Sequence, residues 1–297
     1  MKCKAALHRL QLTVMLFFCL SLSAVPAPEN RRSCAPFVSG DAFRAYADHA
    51  YDELTASFNP AEVTTGQTIF IKTDRLEEFF RDVHPYIQYP YIIISHNSDW
   101  AAPGSFAPFL EDPRIIAWFA QNYDGTHNPK MHPIPIGIAN YMWPHGHVQT
   151  IEKVQSKHLS KKYLCYLNID VNTFQQERWP LYKQLSQASF CHRTRKYDFE
   201  KYLSHTALSK FMVSPRGNGL DTHRLWEALY MGSIPIVKTS SLDSLYAELP
   251  VLIISDWTQV TESFLENAYE EFKRKNFSKD KISMDYWTRL IDSYKTQ

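Results

Sequence analysis

The chain has 297 residues, with 32 basic and 31 acidic side chains and a formal net charge of +1. That balance excludes the basic excess or stripe of a nucleic-acid footprint, and 44% hydrophobic with 14% aromatic residues is a globular composition rather than a disordered or fibrous one. With the N-terminus set aside, about 270 residues remain, enough for one large or two small domains.

Residues 1–27 read as a targeting segment. Lys2, Lys4 and Arg9 precede an uncharged run from Leu10 to Ala24, and small residues at Ser21-Leu22-Ser23 and Val25-Pro26-Ala27 offer cleavage sites. About 15 apolar residues fall short of the roughly 20 that span a bilayer. A cleaved secretory signal is therefore expected, with a membrane anchor over residues 10–24 as the alternative. The expected address is the secretory pathway lumen, the periplasm or the exterior, or a membrane held through this segment. Cys3 and Cys19 lie inside it. Cys34, Cys165 and Cys191 remain, an odd number that leaves at least one thiol free or bridged to another molecule. Cys34–Cys191 is a conceivable disulfide in an oxidising compartment, and Cys165, in an apolar run, reads as a buried thiol. No Cys-x-x-Cys pair occurs, so a zinc ribbon is excluded.

From residue 66 onwards short apolar runs alternate with helical patterns. Thr68–Lys72 reads as a strand, Asp74–Phe80 as a helix and Tyr91–Ser95 as a strand buried on both faces. Ile115–Phe119 and Ile134–Ile138 repeat the pattern. A Pro- and Gly-containing polar stretch, 142–161, then separates a second series, and a domain boundary is placed near residue 155. In the second series Lys162–Leu167, Lys210–Ser214, Ile234–Val237 and Val251–Ile254 read as strands. Thr173–Gln187, Asp198–Ala207, Thr222–Met231 and Thr258–Lys273 read as helices. Lys281–Tyr294 reads as a closing helix. Strand–helix alternation predicts two α/β domains, residues 28–155 and 156–297, with parallel sheets and crossover helices.

Phe211–Val237 carries the clearest chemistry. A strand ends at Ser214-Pro215, Arg216-Gly217-Asn218-Gly219 makes a tight turn, and an amphipathic helix runs from Leu220 to Met231 before the next strand. Two glycines permit positive φ and close backbone approach. The helix start offers unsatisfied N–H groups and a partial positive charge. Asp221 or Thr222 is placed to cap it. Arg216, His223 and Arg224 could meet a diphosphate, and Glu227, one turn on, could accept from two ribose hydroxyls. A Gly-x-Gly turn alone fits a structural turn equally. A dinucleotide cofactor site would want a third glycine where Thr222 stands.

The segment SPRGNGLDTHRLWEALYMGSIPIV resembles the donor-site motif of exostosin-like glycosyltransferases: Gly-Asn-Gly, Asp-x-His-Arg, Trp-Glu-Ala-Leu, then Gly-x-Ile-Pro-Ile-Val. It is similar, more loosely, to the Trp-Glu helix of fucosyltransferases. Ile134–Asn140 with Trp143 resembles ribitol xylosyltransferase and related exostosin-like enzymes. The resemblance spans residues 66–240 in two blocks and implies the GT-B architecture, two Rossmann-like domains facing a cleft. It implies that the Arg216–Gly219 turn, His223 and Arg224 hold the donor diphosphate and that Glu227 holds the ribose. It also implies a UDP-sugar donor, such as UDP-xylose or another UDP-hexose or uronate.

In the first domain the run IIISHNSDW places His96, Asn97, Ser98 and Asp99 directly after a buried strand, where ligands bind in open α/β sheets. Inverting transfer of a sugar to a hydroxyl of a glycan or polyol needs a base, for which Asp99 is the candidate and His96 the alternative. An N-cap or turn role for Asp99 and a structural role for His96 stay open. Arg216, Arg224 and the helix start would stabilise the leaving diphosphate. No Asp-x-Asp occurs, and His145-Gly146-His147 alone makes a poor metal site, so no metal and no cofactor beyond the nucleotide-sugar co-substrate is expected. The competing readings are a catalytically silent nucleotide- or glycan-binding domain of the same fold, and a dinucleotide-dependent oxidoreductase.

Overall fold

The structure is a computed structural model describing residues 31–55, 58–194 and 197–295. The expected targeting segment, with Cys3 and Cys19, lies outside these residues. Among the described residues no helix is long and apolar enough to cross a membrane.

Two five-stranded sheets, each parallel throughout, form the framework. The first contains β1 (His49–Tyr51), β2 (Thr68–Lys72), β3 (Tyr91–His96), β4 (Ile115–Ala120) and β5 (Met131–Pro133), ordered as numbered. The second contains β6 (Tyr163–Leu167), β7 (Cys191–Arg193), β8 (Ser209–Val213), β9 (Ile234–Lys238) and β10 (Leu252–Ile254), in the order β7-β6-β8-β9-β10. This is the two-domain α/β architecture that the resemblance implied. All six residues of β3 are buried, as a strand covered on both faces must be.

The strand orders have different consequences. The second sheet reverses between β6 and β8, a switch point at which the strand ends part and leave a crevice. The first sheet never reverses, so right-handed crossovers keep their helices on one face. There α2 (Leu76–Asp82) packs with Ile69, Ile93 and Trp118. Phe70, Ile92, Ile94 and Phe119 point the other way. They are covered by α1 (Gly40–Tyr46) and by the C-terminal helix, numbered α8 (Met284–Lys295) in an order that takes α3 to α7 from the segments between. Phe43 meets Trp287, and Phe119 meets Tyr294. The closing helix, expected within the second domain, thus packs across the first, whose sheet order leaves a face open.

The intervening helices are α3 (Val148–Gln155), α4 (Gln175–Leu185), α5 (Phe199–Ala207), α6 (His223–Tyr230) and α7 (Glu262–Arg274). One hydrophobic cluster joins both domains, running from Phe70 and Ile92 to Met212, Leu225 and Trp226.

Three expectations are corrected. Ile134–Ile138 is not a strand: β5 ends at Pro133, and Gly137, at φ +68°, turns the chain to meet Ser39 by isolated bridges. The polar stretch before the boundary contains α3, whose Ile151 and Val154 are buried. Cys34 and Cys191 do not pair: Cys34 lies buried in the joint core, while Cys191 stands opposite Cys165 in the β6–β7 register.

Candidate functional site

The phosphate turn follows β8, beside the switch point of the second sheet. Its glycines work differently from expectation. Neither Gly217 nor Gly219 has a positive φ. Gly219 instead lies against the first domain: a Cβ there would sit 2.6 Å from Asn122 Nδ2 and 3.1 Å from its Cγ. Asn122, itself left-handed at φ 53°, accepts the Asp221 N–H at 2.9 Å. Gly217 has more room, its nearest neighbour being Arg178 Nη2 at 3.6 Å.

Behind the turn stands a residue that sequence reasoning missed. Arg178, buried on α4, donates from Nε to the Arg216 carbonyl at 2.8 Å, from Nη2 to the Pro215 carbonyl at 3.2 Å and from Nη1 to the Asp170 carbonyl at 3.1 Å. Burial, with Arg224 nearby, pulls its pKa down to about 10, so it stays charged at neutral pH. Its sequence neighbourhood gives no signal, since its partners are backbone carbonyls as far as 38 positions away.

A cavity of about 560 Å³ opens in front, bordered by Arg178, His223, Arg224, Glu227, Tyr197 and Phe199 among others. Arg224 Nη1 is buried without a hydrogen-bond partner, a donor left for an anion. Glu227 is buried, accepts from the Tyr202 hydroxyl at 2.8 Å and has its pKa raised by burial. Arg216 turns aside: it donates to the Gly217 and Asn218 carbonyls, lies over the Phe174 ring at 4.1 Å, and borders a separate cavity of about 200 Å³. Asp221 does not border this cavity, and it is not the N-cap residue of α6. Its buried carboxylate accepts from Ile136 N–H, Trp226 Nε1–H, Thr222 N–H and the Tyr246 hydroxyl, joining the domains. Thr222 occupies the N-cap position of α6 without a side-chain cap bond.

A second cavity, of about 380 Å³, lies at the C-terminal ends of the first sheet, bordered by Lys72, Asp99, Trp100, Gln121, Trp143 and His223 among others. Asp99 is exposed there, and Asn218 Nδ2 of the phosphate turn donates to its Oδ2 at 3.2 Å. His96 borders the same space but has no free nitrogen. Its Nδ1 accepts the Asn97 N–H at 2.7 Å, and its Nε2–H donates to the Pro135 carbonyl at 3.0 Å. Burial lowers its pKa to about 4. In the ligand-free protein His96 is therefore a neutral ring with both nitrogens engaged.

His223 borders both cavities. Its Nδ1–H donates to the Gly137 carbonyl of the first domain at 2.8 Å. A carbonyl can only accept, so the neutral ring carries its proton on Nδ1 and a lone pair on Nε2. Burial lowers its pKa to about 4, against a smaller opposing effect of Asp99. Gly137 is required here, since a Cβ would fall 2.0 Å from the Val38 carbonyl oxygen. No group of three or more His, Cys, Asp or Glu side chains is arranged to hold a metal ion among the described residues.

No known family's sequence profile matches the chain, and no curated protein matches it. Among solved structures the chain is similar to a UDP-forming α,α-trehalose-phosphate synthase from Burkholderia vietnamiensis, at 10% identity over 81% of this chain and 69% of that one, with a TM-score of 0.41. It is also similar to the corresponding synthase from Burkholderia xenovorans, at 10% identity over 82% and 74%, with a TM-score of 0.42. A third likeness is to an α-glucosyltransferase in complex with UDP-glucose and DNA containing an abasic site, at 12% identity over 77% and 74%, with a TM-score of 0.29.

Proposed function

We propose that the protein is a glycosyltransferase moving a sugar from a nucleotide-sugar donor to a hydroxyl of a glycan or polyol acceptor, with inversion and without a metal. The observation that carries this reading is that two cavities, one lined by Arg178, Arg224 and Glu227 and the other by Asp99, share His223 in their walls. A two-substrate transfer needs that arrangement, because the reacting atoms must be held within contact of each other. The resemblance of Ser214–Val237 to the exostosin-like donor motif supports the same assignment and favours a UDP-sugar.

In this reading the diphosphate lies against Arg224, Arg178 and the first turn of α6. Their fixed charges need no reorganisation as negative charge builds on the leaving group. Glu227 accepts from the ribose, and Tyr197 and Phe199 offer apolar faces to the base. Asp99 takes the proton of the attacking hydroxyl. One observation favours a second base, His223, whose Nε2 lone pair is uncommitted and lies where the cavities join. The N-terminal segment would deliver the protein to a secretory compartment or a membrane.

Calorimetric titration with UDP, GDP and NAD tests the donor half. Binding of UDP that is weakened in Arg224→Ala, together with sugar transfer or release from a UDP-sugar, is the expected result. Binding of NAD and no nucleoside diphosphate would remove the reading, and UDP binding without turnover on any donor would leave a silent binding domain.

A further inference from the structure

Among the described residues three tryptophans are exposed: Trp100 at 66%, Trp143 at 51% and Trp179 at 41%. Trp179 stacks on Tyr182 beside Lys183 on the surface of α4. The other two come from loops 43 positions apart and border the same 380 Å³ cavity, the one that holds Asp99. Large apolar side chains left in water beside a polar cavity mark a contact surface.

Both indoles stand on pinned backbone. The Trp100 N–H donates to Ser98 Oγ at 3.0 Å, and Ser98 Oγ–H donates to Asp74 at 3.1 Å. The Trp143 N–H donates to the Asn140 carbonyl at 2.9 Å, and its own carbonyl accepts from Gly146 N–H at 2.8 Å. Pinned backbone at these positions leaves only side-chain freedom to be lost on binding. The cavity also contains an unmet hydrogen-bond demand. Gln121 is 1% exposed, its Nε2 donates to the Ser98 carbonyl at 2.8 Å, and its Oε1 has no partner. A buried acceptor in that state calls for a donor from a ligand.

We infer that this cavity is a pyranose-binding acceptor subsite, in which a ring-form sugar lays a C–H face on Trp100 or Trp143 and donates a hydroxyl to Gln121 Oε1. A pyranose presents a flat apolar face and an edge of hydroxyls at once. An acyclic polyol has no fixed face to lay on an indole and would lose its chain freedom on ordering. The cavity is at the small end of ligand sites, which suits the terminus of a glycan. The acceptor role rests on the transfer reading, whereas ring binding is measurable without it.

The test uses the described protein, Trp100→Ala, Trp143→Ala and the double variant. Both side chains are exposed, so thermal melting should be unchanged. The wild type is screened on a printed array of pyranose-terminated glycans, and its best ligand and ribitol are titrated by calorimetry. The single variant that lacks the stacking indole, and the double variant, should weaken the glycan about tenfold or more, with UDP affinity unchanged and ribitol unable to compete. An unchanged glycan affinity in the double variant, ribitol binding as tightly as the best glycan, or no array binding would each overturn the subsite. If the wild type binds no nucleoside diphosphate while glycan binding still depends on the indoles, the transfer reading fails and the subsite stands.

Discussion

Asn218 on the phosphate turn donates to the carboxylate of Asp99 on the loop after β3, 3.2 Å away and 119 positions earlier in the chain. The hydrogen bond joins the group proposed to take a proton to the turn proposed to flank the leaving diphosphate. Asp99→Asn should reduce transfer by about 10²–10⁴-fold, the usual range for a lost general base, with UDP affinity kept. Asn218→Ala should lower turnover far less, since it frees the carboxylate without removing it. Near-wild-type turnover of Asp99→Asn would pass the role to His223.

His223→Asn separates the two bases. The Asn amide N–H can still reach toward the Gly137 carbonyl in place of Nδ1–H, while the Nε2 lone pair is gone. If His223 is the base, this variant loses turnover as steeply as Asp99→Asn is expected to. The free enzyme's kcat/KM should also show an acid limb near the depressed value of about 4, because activity needs the neutral ring. A diphosphate nearby favours the imidazolium, so saturating UDP should move the His223 NMR titration upward.

Arg224→Ala and Arg178→Met should part in a diagnostic way. Arg224 Nη1 is buried with no partner in the ligand-free protein, so its removal costs little stability. It should weaken UDP by about 10–100-fold, the worth of a charge-assisted hydrogen bond. Arg178→Met strands carbonyls of Asp170, Pro215 and Arg216. It should destabilise the fold by about 1–3 kcal/mol and weaken UDP as well. Calorimetry and denaturant melts on the pair would show whether the two effects separate.

Gly219→Ala should destabilise by about 1–3 kcal/mol, the range for overpacking, because its Cβ would press on Asn122 at the domain junction. Gly217→Ala, with 3.6 Å to its nearest neighbour, should be tolerated. Equal melting temperatures for the two variants would refute the packing role given to Gly219.

Acid should weaken the fold. His96 and His223 have folded pKa values near 4 through burial, against 6.5 unperturbed. Between those values the unfolded chain binds protons that the folded protein does not, so stability falls as pH drops through the window. Asp221, raised by burial to about 6 from 3.8, acts in the opposite sense: between those values the folded protein holds a proton that the unfolded chain has released. Asp221→Asn removes this offset, so its melting temperature should fall more steeply with acid than the wild type's between about pH 6 and pH 4. Parallel slopes would contradict the assignment.

The strands were legible because a strand covered on both faces is an unbroken apolar run. Tyr91–His96 and Ile234–Lys238 differ from expectation by a single residue at one end. Short edge strands were not legible: Cys191–Arg193 is half-exposed and has three residues, too few to show a period. The phosphate turn was visible as a motif, but the work of its residues was not. That Asp221 turns inward, that Arg216 turns aside and that Arg178 backs the loop depend on Ile136, Phe174 and the carbonyls of Pro215 and Arg216. These partners are distant in sequence, and mostly backbone atoms, which carry no residue signature. His96 looked reactive for the same reason, since the Pro135 carbonyl that occupies it leaves no mark in the pattern.

The Nδ1–H of His223 is fixed by a carbonyl belonging to the opposite domain. If the halves part by the length of one hydrogen bond, nothing on the ring's own helix dictates which nitrogen keeps the proton. Interdomain posture and proton placement are then one variable, read out at a single imidazole. A tautomer-sensitive nitrogen shift at His223 would therefore report whether the contact with Gly137 across the domains is made.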